Sequence, residues 1–378
     1  MLHAVQPGDG GVARVVVDLV RGQLAAGLRV AVACPPGTEL AAAVRAEGAD
    51  TYDWRAGRDP GPRLVRETRE LGRLLRGVRP ALVHAHSAKA GLCARLALRG
   101  RVPTVYQPHA WSFEAVEGTT AALARRWERL GARWTDRIVC VSDAERRTGE
   151  AAGVRAAWSV IHNGVDTERF APRGGPGEEA READVGLGPG GPLVVCVGRL
   201  CRQKGQDVLL AAWPAVRAAV PDARLVLVGD GPDAERLGAA AAADPSVRLT
   251  GAVADPAPWY RAADVVVLPS RWEGMALAPL EAMACGRPVV VGDVDGARES
   301  LPPGHEALCL VPPEDPAALA AALGRLLGGP EPRRSLGLAA REHVLSRFDV
   351  RRTGAAVAGL YRELAGVRCT EHREPIGQ

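Results

Sequence analysis

The sequence predicts two doubly wound α/β domains, each built from a parallel sheet that carries helices on both faces. Short β-prone apolar runs alternate with helix-like segments along the 378 residues, and repeated strand–helix units are typical of parallel sheets. The alternation stops at 171–192, a segment rich in Gly, Pro and charged residues, and then starts again. A chain of this length is also too long for one ordinary α/β domain. We therefore expect an N-terminal domain at 1–170, a linker at 171–192 and a C-terminal domain at 193–347.

The β-prone runs place six strands in each half of the chain. Those of the first half lie at 2–6, 29–33, 81–85, 104–107, 137–141 and 158–161. Those of the second half lie at 193–197, 224–228, 247–250, 265–268, 288–291 and 308–311. Helices are predicted between them from apolar residues at helical spacing, and the clearest stripe is formed by Leu64, Leu71, Leu75 and Val78.

Composition excludes several classes of protein. Hydrophobic residues make up 47% of the chain and charged residues 24%, as expected for a globular protein. The net charge of +4 is too small to indicate a nucleic-acid partner. No apolar run reaches the roughly 18 residues of a membrane span, and the N-terminus does not resemble a signal peptide. We therefore expect a cytoplasmic protein, in which the eight cysteines, without a C-x-x-C pair, form neither disulfides nor a zinc site.

Lysine is scarce, since it occurs only at Lys89 and Lys204 among 48 basic residues. Lys204 lies in a turn that begins with Gly198 and Arg199 directly after an apolar strand, and a helix-like segment follows. Backbone N–H groups at a helix start attract phosphate, and Arg and Lys add full charges. The turn is therefore interpreted as a phosphate site in preference to a solvated basic turn.

Two glutamates follow the predicted strand at 265–268. Glu273 lies on a Gly-containing loop, whereas Glu281 lies eight residues later in a helix-like run among apolar neighbours. A loop with free N–H groups can hold a sugar or a diphosphate, and a helical carboxylate can accept hydrogen bonds from ribose hydroxyls. Solvated surface glutamates are the alternative, and the apolar setting of Glu281 disfavours it.

These elements together resemble the GT4 family of retaining glycosyltransferases, which have the GT-B fold of two Rossmann-like domains facing a cleft. The resemblance covers nearly the whole chain, and its motifs lie at 10–11, 83–87, 141–142, 161–166, 198–205, 228–232 and 273–290. It implies that a final helix at about 348–366 packs back on the N-terminal domain. It also implies a nucleotide-diphosphate sugar as donor, bound by the C-terminal domain.

The resemblance assigns roles to individual residues. Arg199 and Lys204 would neutralise the donor diphosphate, Glu273 would meet the transferred sugar, and Glu281 would bind the ribose. His109, which follows the strand at 104–107, would approach the reacting sugar, although a lone histidine is more often structural. The catalytic set is thus His109, Arg199, Lys204 and Glu273. Further donor contacts are expected at Gly11, Gly198, Gly251, Val253, Gly274, Met275, Ala276 and Leu277.

The acceptor is expected on the N-terminal domain, near Gly10, His86, Lys89 and Trp111. Gly10 and Gly11 do not fit the G-x-G-x-x-G spacing of a dinucleotide site. His84 and His86 could be a metal pair, but no third ligand is evident from the sequence, and His84 could equally be a satisfied strand-end residue. The acidic run 293–295 is interpreted as loop polarity. We therefore expect no metal and no other cofactor.

Five arginines, at 63, 66, 69, 73 and 76, recur at helical spacing. Such a stripe is usually a solvated face. Because some acceptors in the family are lipid-linked, it could also hold the protein on an anionic membrane, at its inner face.

The expected reaction is transfer of a hexose, with retention, to a carbohydrate, lipid-linked or small-molecule acceptor. UDP-sugars are the first candidate donors and GDP-mannose the second. Two alternatives remain at this point. One is a GT-B-like sugar-nucleotide epimerase, and the other is a non-catalytic partner that binds sugar nucleotides.

Overall fold

The computed structural model describes residues 1–58, 61–172, 185–188 and 190–371, with side chains as far as Gly366. Its contacts divide the chain into two units. Unit 1 comprises Met1–Asn163 together with the segment from Arg351, and unit 2 comprises Gly164–Val350. Most of the expected linker, at 173–184 and 189, lies outside the described residues.

Unit 1 contains a seven-stranded parallel sheet. Its strands are β1 Leu2–Val5, β2 Ala31–Cys34, β3 Asp50–Asp53, β4 Val83–His86, β5 Thr104–Gln107, β6 Arg137–Cys140 and β7 Trp158–Val160. The strand order is β3-β2-β1-β4-β5-β6-β7, so the winding reverses between β1 and β4. The sequence did not predict β3, because its four residues are polar or aromatic and none is buried.

The helices of unit 1 cover both faces of this sheet. They are α1 Gly10–Ala25, α2 Glu39–Ala46, α3 Leu64–Val78, α4 Ser87–Leu98, α5 Gly118–Gly131 and α6 Asp143–Ala151. Side-chain caps begin two of them, since Thr38 accepts from Ala41 N and Ser142 accepts from Glu145 N. The apolar stripe predicted on α3 packs Leu71 and Leu75 into the core.

Unit 2 contains a six-stranded sheet, which is also parallel. Its strands are β8 Leu193–Val197, β9 Arg224–Val228, β10 Val247–Leu249, β11 Val265–Leu268, β12 Val289–Gly292 and β13 Leu310–Val311. The order is β10-β9-β8-β11-β12-β13, which reverses between β8 and β11. Strands β11 and β12 are fully buried, as their continuous valine runs predict for a sheet covered on both faces.

The helices of unit 2 follow its strands in turn. They are α7 Gln206–Ala219, α8 Ala234–Ala241, α9 Ala257–Ala262, α10 Leu277–Ala284, α11 Ala297–Ser300, α12 Glu306–Cys309, α13 Pro316–Leu327 and α14 Pro330–Arg347. The strand predicted at 308–311 is shorter than expected, because Leu308 and Cys309 belong to α12.

The last helix, α15 Val350–Glu371, packs on unit 1. It buries Val357, Leu360, Tyr361 and Leu364, and the Tyr361 hydroxyl lies 2.6 Å from Nδ1 of His84. None of the described helices combines the length and apolar character needed to cross a membrane. The seven cysteines whose side chains are described form no disulfide.

In both units the reversal of strand order matters for function. Ligands of doubly wound sheets bind at the carboxyl ends of the strands where the order reverses. These are the ends of β1 and β4 in unit 1 and of β8 and β11 in unit 2. Arg199 and Lys204 follow β8 and Glu273 follows β11, whereas His109 follows β5, the strand next to β4.

Candidate active site

The turn after β8 carries the two cations expected to bind phosphate. Lys204 closes a short 3₁₀ turn, Arg202–Lys204, and its Nζ donates to Oε1 of Glu273 at 2.5 Å. Arg199 is partly exposed, and within the described residues its guanidinium forms neither a hydrogen bond nor an ion pair. Its backbone carbonyl accepts from the side chain of Gln206 at 3.0 Å. Of the two cations expected to bind phosphate, Lys204 is therefore engaged and Arg199 remains available to a ligand.

Glu273 lies on the segment between β11 and α10. Besides Lys204, its Oε1 accepts from the hydroxyl of Ser270 at 2.7 Å, and its side chain is 10% exposed. Glu273, Ser270, Val294 and Asp295 line one small cavity. The sequence placed Lys204 and Glu273 in one site, and the ion pair joins the two turns directly. Ser270 is an addition that sequence reasoning missed.

Glu281 lies two turns further on, inside α10. It is buried, and its Oε2 accepts from the hydroxyl of Tyr260 at 2.7 Å. No side chain caps the N-terminus of α10, which begins beyond Gly274, Met275 and Ala276. A helix start without a side-chain cap suits an anion, and Lys204, in the turn after the neighbouring strand β8, contacts the segment that leads into it through Glu273.

Close backbone contacts hold the turns of unit 2 together. A Cβ on Gly229, whose φ is +138°, would lie 2.1 Å from the carbonyl oxygen of Gly198. Gly229 N–H also donates to the carbonyl of Gly251 at 2.9 Å. The turns after β8, β9 and β10 are therefore neighbours, and they bring Gly251 and Val253 towards Gly198. Such contact of bare backbones requires glycine.

In unit 1, His109 follows β5 in a strained turn. His109 and Ala110 have φ angles of 61° and 121°, which non-glycine residues rarely adopt. Ala110 N–H donates to Oε1 of the fully buried Glu145 at 2.7 Å, and the other carboxylate oxygen accepts from Val141 N at 2.7 Å. Backbone strain that the surroundings enforce in this way is concentrated at functional sites.

His109 adjoins a cluster of three fully buried histidines, His3, His84 and His86. Nε2 of His109 lies 3.1 Å from Nδ1 of His86, and Nε2 of His86 lies 2.9 Å from Nδ1 of His3. Burial lowers the pKa of His3 to about 4, and it lowers the pKa values of His84 and His86 well below the usual range. All three rings are therefore neutral at pH 7.

The structure places a third histidine beside His84 and His86, which was not evident from the sequence. One nitrogen from each of His3, His84 and His86 lies within 4.8 Å of the others, so the group has the size of a metal site. His3 stands opposite His84 in the register of β1 and β4. His3 lies on the first predicted strand, but the sequence does not show that this strand is adjacent to β4. Only the strand order of the sheet shows it.

Three of the four residues expected near the acceptor, His86, Lys89 and Trp111, are buried in the core. Lys89 forms a 2.6 Å ion pair with Glu67, and the two side chains are only 2% and 4% exposed. Trp111 is 1% exposed, stacks on Phe113, and donates its indole N–H to the carbonyl of Glu145. The prediction that Trp111 contacts an acceptor is contradicted by this burial, and the charge of Lys89 is already compensated.

Gly10 and Gly11 remain exposed at the start of α1, after the β1 strand. Gly10 has a φ of +73°, and open space surrounds its Cβ position. In the acidic loop of unit 2, Asp293 pairs with Arg298 at 2.7 Å. The histidine group is the one metal-sized cluster found among the described residues, so the loop 293–295 is not part of such a cluster.

Comparison with solved structures identifies the class of protein. Over 97% of this chain and 99% of the other, the fold matches sucrose-phosphate synthase from Thermosynechococcus elongatus with a TM-score of 0.82 at 24% identity. Anabaena HepE in complex with UDP-glucose matches with a TM-score of 0.82 at 23% identity, over 96% of this chain and 99% of that one. The protein therefore has the GT-B glycosyltransferase fold.

Sequence comparison gives the family. Residues 9–169 match the model of Glycosyltransferase Family 4, and residues 191–328 match that of Glycosyl transferases group 1. The chain is 35% identical to a GDP-mannose-dependent alpha-(1-6)-phosphatidylinositol monomannoside mannosyltransferase of Mycolicibacterium smegmatis, over 83% of this chain and 87% of the relative. It is 31% identical to a D-inositol 3-phosphate glycosyltransferase of Streptomyces bingchenggensis, over 96% and 87%. The chain belongs to glycosyltransferase family 4 and is a hexosyltransferase.

Proposed function

We propose that this glycosyltransferase moves a hexose, with retention, from a nucleotide-diphosphate sugar held by unit 2 to a hydroxyl of a glycolipid or sugar acceptor. The observation that carries the proposal is the Lys204–Glu273 ion pair, which joins the turn after β8 to the turn after β11. Arg199, on the same turn as Lys204, supplies a second cation. The names of the relatives favour GDP-mannose over the UDP-sugars that the sequence put first, and they favour an inositol-containing acceptor.

In this proposal the cations act on the leaving group. Negative charge develops on the diphosphate as the glycosidic bond breaks, and Arg199 and Lys204 neutralise it. Glu273 orients Lys204 and accepts from a sugar hydroxyl, while Glu281 accepts from the ribose. Gly198, Gly251, Val253 and the backbone from Gly274 to Leu277 complete the donor pocket. Because protein cations supply the charge, no metal or other cofactor is needed.

Unit 1 would contribute the residues that meet the sugar and the acceptor. His109 approaches the transferred sugar from its strained turn, and Gly11 leaves room for the donor phosphates. Gly10 and His86 lie on the acceptor side of the proposal. His86 is fully buried, so it acts through His109 and not by direct contact.

The test is a thermal-shift screen with UDP, GDP, ADP, dTDP and their sugars in the presence of EDTA. A ligand at a hundred times its Kd stabilises the protein by about 2.7 kcal/mol, which raises the melting temperature by several degrees. Arg199→Ala should abolish the shift. Arg334→Ala, on the exposed surface of α14 in the same unit, should retain it. No shift with any nucleotide, or a shift that survives Arg199→Ala, would refute the donor site.

Turnover separates transfer from the two alternatives. NMR of the product made from the selected donor and inositol-containing acceptors gives the anomeric configuration, and retention is expected. An epimerase would convert the donor without any acceptor. A non-catalytic partner would bind the donor but give no product with any acceptor. Turnover that stops with EDTA and returns with a divalent cation would refute the metal-independent mechanism.

We also propose that the protein works at the cytoplasmic face of the membrane, where α3 contacts anionic lipid. Arg63, directly before this helix, and the arginines at 66, 69, 73 and 76 on it are all exposed. Each basic residue near an anionic surface contributes about 1 kcal/mol.

Vesicle co-sedimentation tests this contact with and without anionic lipid. Neutralising Arg66, Arg69 and Arg73 to Gln should abolish binding to anionic vesicles at low salt. The matched control neutralises Arg325, Arg334 and Arg347, three exposed arginines of unit 2, and should still bind. Equal losses in both variants would show that net charge alone is responsible and would contradict a specific role for α3.

A further inference from the structure

A continuous line of hydrogen bonds connects Gln23 on α1 to His109. Oε1 of Gln23 lies 2.9 Å from Nε2 of His3, and Nδ1 of His3 lies 2.9 Å from Nε2 of His86. Nδ1 of His86 then lies 3.1 Å from Nε2 of His109. Gln23, His3 and His86 are buried, whereas His109 is partly exposed. The line therefore begins in the core and ends at the strained turn of unit 1.

The rings in this line are neutral. Burial lowers the pKa of His3 and His86, and neighbouring histidines lower the pKa of His86 further. Burial also lowers the pKa of His109. A neutral imidazole carries one proton, so one of its nitrogens donates a hydrogen bond and the other accepts one. The orientation of each hydrogen bond therefore determines the next.

The amide oxygen of Gln23 sets the direction of the whole line. With the oxygen of the Gln23 amide facing His3, as the structure orients it, Nε2 of His3 carries the proton and Nδ1 of His3 accepts. Nε2 of His86 must then donate to His3, which leaves Nδ1 of His86 as an acceptor. His109 must in turn donate from Nε2, so its Nδ1 has a lone pair and no proton. Within the described residues, Nδ1 of His109 has no hydrogen-bond partner.

We propose that Gln23, His3 and His86 are positioning residues that fix the tautomer of His109, so that Nδ1 of His109 is presented to the ligand as a hydrogen-bond acceptor. An acceptor nitrogen selects a hydroxyl group and disfavours phosphate or carboxylate oxygen. The ligand chemistry is therefore a sugar hydroxyl, a step that rests on the proposed function of His109.

The same contacts argue against a metal at this cluster. Both nitrogens of His3 and both nitrogens of His86 are already engaged in the hydrogen-bonded line. The third ring, His84, uses Nδ1 towards the Tyr361 hydroxyl. Only Nε2 of His84 remains without a hydrogen bond, and one imidazole nitrogen does not make a metal site.

The tautomer can be measured in the free protein, without donor or acceptor. Long-range ¹H–¹⁵N spectra of protein labelled with ¹⁵N-histidine distinguish protonated from unprotonated ring nitrogens, and the missing signals of His109→Asn identify His109. We expect a proton on Nε2 and none on Nδ1. A proton on Nδ1, a mixture of tautomers, or about one equivalent of bound zinc in the purified protein would overturn the proposal.

Variants test whether the hydrogen-bonded line fixes the tautomer of His109. Gln23→Leu and His86→Leu remove the line at two different places, and each should convert His109 into a mixture of tautomers. Gln23→Glu keeps an acceptor at the same place and should preserve Nε2–H. His84→Gln alters a neighbouring buried histidine outside the line and should leave His109 unchanged. An unchanged His109 in both folded Leu variants would overturn the proposal.

Activity then tests the sugar contact separately. Gln23→Leu and His86→Leu should lower kcat about tenfold, as expected for loss of one hydrogen bond in the transition state, with little change in the KM for donor. Gln23→Glu should restore most of the loss. If the spectra show the expected change of tautomer in the Leu variants but their kcat is unchanged, the hydrogen-bonded line fixes the tautomer and the sugar contact of His109 is refuted. If donor is not turned over by the parent protein, the proposed function fails while the spectra still decide the tautomer.

Discussion

At the scale of single residues, the candidate donor site depends on where backbones touch. Gly205 separates Lys204 from α7, with a φ of +69°. A Cβ there would lie 2.0 Å from the carbonyl oxygen of Pro269, at the end of β11. This contact holds the turn after β8 against the turn after β11, and so it fixes the distance between Lys204 and Glu273.

Gly205→Ala should therefore destabilise the protein much more than Gly304→Ala, a matched control whose surroundings are open. Gly304 also has a positive φ, of +88°, but nothing lies within 4 Å of its Cβ position. Both substitutions carry the left-handed backbone cost of about 1–2 kcal/mol. Only Gly205→Ala also forces two backbones apart, so urea unfolding should show at least about 2 kcal/mol of additional loss. Equal losses of unfolding free energy in the two variants would mean that the backbone at Pro269 moves away from the added Cβ at little cost.

Lys89 offers a second test at this scale, because its charge is buried against Glu67. Lys89→Met should cost about 3–5 kcal/mol, since it leaves a buried carboxylate unpaired. The double variant Glu67→Met, Lys89→Met should recover much of that loss. A stable Lys89→Met protein with weakened acceptor binding would instead support the acceptor role that the sequence suggested.

At the scale of elements, β1 and β4 bring buried histidines together across a parallel ladder. His3 pairs in register with His84, and His86 follows two residues later on the same face of β4. Neutral, buried rings link the stability of this strand pair to pH. Burial comes first among the causes of their lowered pKa values, and neighbouring histidines add to it for His84 and His86.

Unit 1 should lose stability as the pH falls from 7 towards 4. The unfolded histidines bind protons below their ordinary pKa of about 6.5, whereas His3 in the folded state binds one only near pH 4. The unfolded state therefore holds more protons in this window, and each such histidine costs about 1.4 kcal/mol per pH unit. His84→Gln should reduce the slope of unfolding free energy against pH by about that amount. An unchanged slope would show that His84 is charged in the folded protein.

At the scale of the whole molecule, the chain returns to its first unit after completing the second. Unit 1 uses residues from both ends of the chain, and α15 buries Leu360, Tyr361 and Leu364 there. Arg137 on β6 also pairs with Glu363 at 2.5 Å. The resemblance to GT-B proteins predicted a final helix on the N-terminal domain, and the described helix begins at Val350.

Loss of the α15 contacts should therefore destabilise unit 1 and not unit 2. Leu360→Ala with Leu364→Ala removes two buried side chains and should cost about 4 kcal/mol or more. Arg362→Ala, on the exposed face of the same helix, should be nearly neutral. Hydrogen exchange measured separately over β1–β7 and β8–β13 would locate the loss. Faster exchange in β8–β13 alone would contradict the assignment of α15 to unit 1.

Local signals in the sequence were enough for most elements and for the turns of the candidate donor site. Strands β5, β8, β9 and β11 have the predicted bounds, because each is a β-prone run ended by a turn. Arg199, Lys204 and Glu273 follow such strands directly, so their place at the carboxyl edge follows from the alternation of strands and helices. β3 escaped prediction because a polar edge strand has no apolar pattern.

The sequence by itself determined the two doubly wound domains, the family and the residues that follow β8 and β11 at the carboxyl edge of the second sheet, because these depend on patterns within a few neighbouring residues. Only the tertiary structure decided that His3 completes the histidine cluster, that Glu145 holds the strained turn of His109, and that Lys89 and Trp111 lie in the core. These facts depend on which strands are adjacent and which faces they share. The order of strands in a sheet brings together residues that are far apart along the chain, and local sequence patterns do not predict that order.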